Sequence, residues 1–455
     1  MEFGINVDSL QNIVTRVAGK EKKQKEQKEQ EKEKYKSKIV EYTFFVQNDI
    51  EVSEKLNNIH TMDVYYNRLY RFLTIKKYDF IKICETNKQI LEKMNVSLDL
   101  NKKIVLLKYA KKIDFCCDID KMLPFIDSFL YNNHVNNKNI FHNEPRGKFI
   151  FWDFIRQYEI LLHDLSFLSG KQILFLDFSS KNLLYDRETT LFFNNFEKCF
   201  LQKTYNISQT DLDQHGDLHK LSKYIEIEQY IDKFINIIES IEYYGNKHFD
   251  LYFSKQLIKY KKFHIVYQNL DTIMDDYLNN LYFLKNFSDK FKNDNKIKWK
   301  LQIKSKIEEN IKYFNIDASK LNWKLYLILL LEKNQKAVWE IFSANSLFLN
   351  ITYHMMKIFA IKDKSSVIHS YFKFLFKNMD ISCSNFNNNS NNNNDNISIS
   401  TCRENYDKYR GSFQNTSNSN DCDIHAGFLS LSDVTVEQQQ ELYNLLSQTA
   451  IIEQF

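Results

Sequence analysis

Three polar side chains, Asp177, Asn182 and Asn195, lie at short, defined distances in a stretch of the chain that is otherwise rich in Leu and Phe. Asn182 follows Asp177 after five residues, and Asn195 follows Asn182 after thirteen. One carboxylate and two amides can accept hydrogen bonds and can ligate a cation. An amide oxygen holds Mg²⁺ more weakly than a carboxylate does, because Mg²⁺ prefers charged oxygen ligands. The same residue types also occur where Asp and Asn side chains bond nearby backbone amides at the end of a strand, so both interpretations are open at this level.

The segments around these three residues predict how they are positioned. Apolar side chains recur every three or four residues over 151–168, which predicts an amphipathic helix, and Gly170 is a suitable residue to end it. The sequence QILFLDF at 172–178 predicts a buried strand, followed by the polar turn SSKN and the residues LLYD. A second strand is predicted for TTLFFNNF at 189–196. The predicted order is therefore helix, strand, polar loop, strand and turn.

This combination of spacing and elements resembles the catalytic loop and the metal-binding triplet of protein kinases. The resemblance implies that Asp177 is the catalytic base and that Asn182 contacts the cofactor and its metal. It implies that Asn195, in the sequence NFE, takes the place of the metal-binding Asp of the DFG triplet. Lys181, four residues after Asp177, lies where tyrosine-kinase-like loops place a catalytic Arg. ATP and Mg²⁺ are the cofactors that such a site would use.

Two further segments extend the resemblance. NDIEVSEKL at 48–56 is similar to the kinase αC helix, and Asp49 has the place of the Glu that pairs with a strand lysine at the cofactor. VWEIFSANSLFL at 338–349 is similar to the αF helix motif DxWSxG, with Trp339 retained and Glu340 as an acidic anchor. The order of αC, catalytic loop, metal triplet and αF is that of a kinase. As a set, these segments resemble the divergent kinase-like proteins of large DNA viruses with AT-rich genomes.

The N-terminal part of the chain departs from the kinase pattern. A Gly-rich phosphate-binding loop is missing, because Gly4 and Gly19 are the only glycines before Gly147. The strand lysine that contacts the phosphates in kinases has no clear counterpart, and Lys36 and Lys38 are its nearest candidates.

The predicted catalytic segments depart from the pattern as well. The His-Arg pair before the catalytic Asp is replaced by Phe175 and Leu176, and Asn195 supplies an amide where kinases have a carboxylate. Phosphoryl transfer depends on positioning and on charge neutralisation. We therefore expect a protein-kinase-like chain with lost or strongly reduced phosphotransferase activity, which acts as a pseudokinase and binds a protein partner. The alternatives are an active serine/threonine-type kinase that uses Asp177 as base, and a non-enzymatic helical structural or interaction protein of a virus.

Composition excludes several other classes. The chain has 62 Lys and Arg against 58 Asp and Glu, and this balance argues against nucleic acid or an anionic membrane as partner. With 8 Gly and 2 Pro, it lacks the turn residues of sandwiches, barrels and propellers. Its seven cysteines include no CxxC pair, as expected in a reducing compartment. No secretory leader and no membrane span are predicted, so we expect an intracellular protein, in the host cytoplasm or the virion if it is viral.

The predicted fold class is α+β and predominantly helical, a degenerate protein-kinase-like fold with a reduced N-lobe and a large helical C-lobe that carries an insertion. We divide the chain into a charged N-terminal arm (1–40), an N-lobe-like region (41–145), a C-lobe-like region (146–380) and a tail (381–455). The insertion covers about 200–335. The tail is rich in Asn and Ser, which predicts disorder, and it ends with a predicted helix at 434–446.

Secondary structure in the N-terminal part is predicted from short patterns. The apolar segments at 42–46 and 103–110 predict strands, and 48–59 predicts a helix that begins near Asn48 or Asp49. Residues 64–91 are predicted as helical. The charged run at 20–38 has i,i+4 pairs that a solvated helix would use, but it has almost no apolar residue to bury, and this composition favours a charged, frayed arm.

Overall fold

In a computed structural model of the chain, helices predominate and are accompanied by small antiparallel sheets, so the fold is α+β and mostly helical. The chain divides into two compact units, one formed by Met1–Asp118 with Asn182–Cys199 and the other by Ile119–Lys181 with Phe200–Phe455. The structure describes the following residues of these units: 35–57, 75–81, 103–110, 116–118, 145–179, 182–186, 191–205, 224–242, 244–287, 289–315, 317–334, 337–358, 371, 374–376, 378–379, 402 and 404–405.

A three-stranded antiparallel sheet and one helix form the centre of the first unit. The sheet consists of β1 (Tyr35–Glu41), β2 (Ile75–Ile81) and β3 (Ile104–Ala110), with β3 between the other two. Because β3 has a strand on each side, its near-continuous apolar sequence IVLLKYA is suited to the central position. The helix α1 (Phe44–Asn57) follows β1 and packs on the sheet through Ile50.

A second small sheet of the same unit carries the segment that resembles the metal-binding triplet. Its strands are β4 (Cys116–Asp118), β6 (Leu183–Asp186) and β7 (Leu191–Phe193), and β6 lies in the middle. A 3-10 turn at Phe196–Lys198 follows β7 directly.

The second unit is built from helices. The helix α2 (Pro145–Gly170) begins with a proline, which suits the first helical turn because its missing N–H has no intrahelical partner there. The short strand β5 (Ile173–Phe175) follows and pairs with β8 (Cys199–Leu201). The remaining helices are α3 (Tyr224–Ser240), α4 (Phe249–Tyr260), α5 (Phe263–Gln268), α6 (Leu270–Asn280), α7 (Asp289–Tyr313), α8 (Trp323–Lys333) and α9 (Val338–Ile358).

Helix α8 lies at the core of this unit. The side chains of seven consecutive residues, 325–331, are all buried, and a helix that is apolar on every side is expected only where other elements surround it completely. The helix begins at Asn322, whose side-chain oxygen accepts hydrogen bonds from the backbone N–H of Lys324 (2.9 Å) and Leu325 (3.4 Å).

Helix α2 is joined to α9 by polar contacts inside the core. The hydroxyl of Tyr158 donates to Oδ1 of Asn345, and Nδ2 of Asn345 donates to the carbonyl of Asn378 at 2.9 Å. The ring of Tyr158 also packs edge-on against Phe348 of α9. These contacts fix the position of α9, which carries Glu340 towards β5.

Most predicted elements around the three polar residues are confirmed by the structure, which has the helix over 151–168 as part of α2, the strand at 173–175 and the strand at 191–193. The strand predicted for 103–110 is confirmed as β3. Residues 200–380 are helical over most of their described part.

Three predictions for the N-terminal part were wrong. Residues 42–46 are not a strand, because Thr43 accepts a hydrogen bond from the N–H of Val46 through its hydroxyl and α1 begins at Phe44. The helix predicted at 48–59 is confirmed over 48–57 as part of α1, which begins four residues earlier; residues 58 and 59 lie outside the described residues. The charged run at 20–38 ends in a strand, since Tyr35 to Lys38 lie in β1, so this part is neither a helix nor a frayed arm. Within the segment 64–91, which was predicted to be helical, residues 75–81 form strand β2. The other residues of both segments, and the helix predicted at 434–446, lie outside the described residues.

Among the described helices, none combines the length and the apolar character that a bilayer-crossing segment needs.

Candidate functional site

Asp177 lies in the second unit, in a turn directly after β5. Its carboxylate is paired with Lys247, whose Nζ is 3.5 Å from Oδ1 of Asp177. The lysine side chain is 1% exposed and the aspartate side chain 19% exposed. A charge as deeply buried as that of Lys247 requires a counter-charge or several hydrogen bonds. Asp177 supplies the counter-charge.

The carbonyl of the next residue, Phe178, is bonded by the same short segment. It accepts hydrogen bonds from Nζ of Lys247 and from Nδ2 of Asn246, the latter at 2.9 Å. The backbone of Lys247 is itself held, because its carbonyl accepts from the hydroxyl of Tyr277 on α6 at 3.1 Å. The segment between α3 and α4 thus fixes the turn after β5 at two adjacent residues.

Tyr244, three residues before Lys247, is buried close to the negative charge of Asp177. Its pKa is raised above the ordinary value, chiefly because the side chain is removed from water and also because of the negative charges of Asp177 and Glu239. The hydroxyl is therefore protonated, and it donates to the carbonyl of Ile238 at 2.5 Å.

A second buried carboxylate holds the strand that leads to Asp177. Oε1 of Glu340 accepts a hydrogen bond from the backbone N–H of Phe175 at 3.2 Å. Burial raises the pKa of Glu340 to about 7, although the hydrogen bond from Phe175 acts in the opposite direction. Oε2 of Glu340 accepts no hydrogen bond from the described residues. The carboxyl group therefore keeps its proton to a higher pH than an exposed glutamate does.

Trp339, next to Glu340, connects α9 to the start of α4. Its indole Nε1 donates to Oδ2 of Asp250 at 2.9 Å. Asp250 lies in the first turn of α4, and its backbone N–H donates to Nδ1 of His248, which is the N-cap residue of that helix. All three side chains are buried, so the segment that supplies Lys247 is held in place by α9.

In the first unit, α1 is bonded to the segment that follows β7. Nδ2 of Asn48 donates to the carbonyls of Glu197 (2.9 Å) and Cys199 (2.6 Å). Asn48 is an interior residue of the helix rather than its N-cap, and its side chain is used for this tertiary contact. Asp49, one of the two residues predicted to contact the cofactor, is next to it and is 8% exposed.

The two asparagines predicted as metal ligands are brought together. Nδ2 of Asn195 donates to Oδ1 of Asn182 at 3.3 Å and to Oε1 of Glu197 at 3.2 Å. The backbone is joined at the same place, since the N–H of Asn194 donates to the carbonyl of Asn182 at 2.9 Å. Asn195 has a φ of 65°, in the left-handed region, which Asn tolerates better than most residues.

The other predicted site residues are distributed as follows. Lys181 lies outside the described residues. Lys36 and Lys38, the candidates for a phosphate-contacting lysine, are both in β1 immediately before α1, and the side chain of Lys38 is exposed. Asp177 belongs to the second unit, whereas Asp49, Asn182 and Asn195 belong to the first.

Sequence reasoning missed Lys247, Asn48 and Glu197. Lys247 comes 70 residues after Asp177, so no local spacing connects the two. The available signal was the sequence GNKHF at 245–249, in which a lysine is surrounded by small polar and apolar residues instead of by other charges. Asn48 was noticed only as a helix-capping candidate.

Neither a search for metal-binding side chains nor comparisons with known proteins identify an activity for the chain. Over the part of the chain that the structure describes, no group of three or more His, Cys, Asp and Glu side chains is arranged to hold a metal ion. No protein-family model, curated protein or solved structure matches the chain.

Proposed function

We propose that the chain is a protein-kinase-like protein of the pseudokinase type, with lost or strongly reduced phosphotransferase activity, that acts by binding a protein partner. The observation that carries the proposal is the hydrogen bond from the backbone of Phe175 to Glu340. An acidic residue next to the tryptophan of a late helix thereby anchors the strand two residues before Asp177. This is the role that the αF resemblance implies for Glu340.

The start of the first unit supports the proposal with a second local arrangement. A strand that carries Lys36 and Lys38 is followed directly by a helix with an acidic residue, Asp49, in its second turn. In kinases, a strand lysine and an αC glutamate are joined to the nucleotide phosphates in this order. Helix α1 is also bonded, through Asn48, to the segment that resembles the metal-binding triplet.

Reduced activity follows from the charges. Asn195 supplies an amide where the kinase pattern requires a carboxylate. Asp177 is already paired with a buried lysine. Oδ1 of Asp177 is therefore directed at Nζ of Lys247 and not at a substrate hydroxyl.

The proposal is tested by thermal unfolding of the full chain with ATP, in the presence and absence of Mg²⁺. We expect ATP to raise the melting temperature by mass action. We expect Glu340→Ala to abolish the rise, because the strand before Asp177 loses its anchor. A matched control is Glu332→Ala, which removes another buried carboxylate that accepts a backbone N–H, that of Tyr205 at 2.8 Å.

Three outcomes contradict the proposal. An absence of any ATP effect on the wild type favours the non-enzymatic helical protein, and an ATP effect that survives in Glu340→Ala refutes the role of the anchor. Efficient transfer of phosphate from ATP to protein substrates, abolished by Asp177→Ala, shows the active kinase instead. Hydrogen exchange at residues 173–177 checks that Glu340→Ala loosens this segment in particular.

A further inference from the structure

The contacts of Asn195 indicate whether the predicted metal site can hold a cation. This inference rests on the proposed function, which assigns Asn195 and Glu197 to the triplet that resembles the metal-binding triplet of kinases. The NH₂ group of Asn195 lies between two oxygens, Oδ1 of Asn182 at 3.3 Å and Oε1 of Glu197 at 3.2 Å. An amide nitrogen has two hydrogens. Each of them is directed to one of these oxygens.

Glu197 determines which way the amide of Asn195 is oriented. A carboxylate only accepts hydrogen bonds, so the atom that faces it must be the nitrogen of Asn195 and not the oxygen. With the nitrogen in this position, Oδ1 of Asn182 also faces a donor. The oxygen of Asn195 is consequently not the atom directed at Asn182 and Glu197.

The geometry does not fit a divalent cation between these three side chains. Mg²⁺ requires oxygen ligands at about 2.0–2.1 Å and would have to collect the oxygens of all three residues around one point. The positively polarised NH₂ group is directed to the same two oxygens that a cation would use. The backbone holds the group there, through the bond of Asn194 to Asn182 and the bond of Asn48 to the carbonyl of Glu197.

We propose that the side-chain amide of Asn195 takes the place of the cation, so that Asn182, Asn195 and Glu197 form a metal-free hydrogen-bonded clasp. Two consequences follow. Any nucleotide that the chain binds is bound without a divalent cation at this triplet. Exchange of the amide for a carboxylate converts the clasp into a cation site with two charged ligands and the amide oxygen of Asn182.

The test uses Mn²⁺ or Mg²⁺ alone, without nucleotide, on the full chain. We expect Asn195→Asp to lower the melting temperature in EDTA, because two carboxylates then face each other, and millimolar Mn²⁺ to raise it again by about 2–5 °C. The wild type is expected to shift by less than about 1 °C. The double variant Asn195→Asp/Glu197→Gln is expected to lose the response.

Asn194→Asp is the matched control, since it adds the same charge one residue away without entering the clasp. An equal Mn²⁺ response of Asn194→Asp and Asn195→Asp overturns the inference, as does a response of the wild type equal to that of Asn195→Asp. If Asn195→Asp does not fold, electron paramagnetic resonance of Mn²⁺ with the wild type decides. Saturable binding that Glu197→Gln abolishes overturns the clasp, and the absence of such binding upholds it.

These measurements separate this inference from the proposed function. A gain of Mn²⁺ binding in Asn195→Asp, together with no ATP effect on any variant, upholds the clasp and refutes the nucleotide part of the proposed function. An ATP effect on the wild type that requires Mg²⁺ and is lost in Glu197→Gln supports nucleotide binding and overturns the clasp.

Discussion

Lys247, which is buried, and Asp177, which is partly exposed, form an ion pair whose removal is expected to cost more stability than the removal of a surface pair. In Lys247→Met, the carboxylate of Asp177 keeps its 19% exposure but loses the ammonium group 3.5 Å away. Coulomb's law gives a gross attraction of about 5 kcal/mol at this distance with an effective dielectric constant of about 20. The partial exposure of Asp177 reduces the net loss, and we expect the free energy of unfolding to fall by about 2–4 kcal/mol.

Removal of the other partner leaves the buried lysine without its counter-charge. Asp177→Asn keeps the size of the side chain but leaves the buried ammonium of Lys247 without this counter-charge, although the carbonyl of Phe178 still accepts from it. We expect a loss of about 3–5 kcal/mol. The double variant removes both charges, so its loss is expected to be smaller than the sum of the two single losses by about 2 kcal/mol or more.

Urea unfolding of the four proteins in this cycle measures the coupling energy. Lys255→Met is the matched control, because Nζ of Lys255 donates to the carbonyl of Ile241 at 3.1 Å and lies over the ring of Tyr244, and burial lowers its pKa. Lys255→Met is expected to show no coupling to Asp177→Asn. Additive losses for Lys247→Met and Asp177→Asn, within about 0.5 kcal/mol, would refute the ion pair.

Three further predictions concern other parts of the structure. Burial raises the pKa of Glu340 from 4.5 to about 7, so between these pH values the folded state holds a proton that the unfolded state has released. The free energy of unfolding should therefore fall by on the order of 3 kcal/mol as the pH rises from about 4.5 to 7. Urea unfolding across this pH range measures the fall, which Glu340→Gln should abolish. Asn48→Ala removes the buried donor to the carbonyls of Glu197 and Cys199 and should cost about 1–3 kcal/mol, with faster amide exchange at 196–199; an unchanged exchange rate contradicts the contact. Leu327→Ala, in the fully buried part of α8, should cost about 2–5 kcal/mol in calorimetry, and a loss below about 1 kcal/mol would show that α8 is not enclosed.

The sequence was sufficient to predict the elements where one pattern covered a whole element. Residues 151–168 have a continuous helical spacing and the strand 173–175 is uniformly apolar, and both are found. The pattern was insufficient near α1, where the aromatic run at 42–46 has the composition of a strand. The hydroxyl of Thr43 accepts from the backbone N–H of Val46, so the chain turns into a helix at Phe44 instead.

The candidate site was predictable in its local part only. The resemblance to kinases implied that Asn182 and Asn195 share one site. The structure brings their side chains together because β6 and β7 are adjacent antiparallel strands. The partner of Asp177 could not be anticipated, since Lys247 is separated from it by 70 residues and reaches it through the packing of α3, α4 and α9. Tertiary contacts of this kind leave no periodic trace in a single sequence.

The apolar stretch 325–331 of α8 has a consequence for how the chain is produced. Residues 325–331 have no polar face, so a partly folded chain that has formed α8 without the surrounding helices exposes apolar side chains to the solvent on every side of that helix. Such a species associates with copies of itself at a rate that grows with concentration. Refolding from denaturant should therefore recover more monomer when the chain is diluted strongly, and expression at low temperature or with chaperones should increase the yield of soluble material.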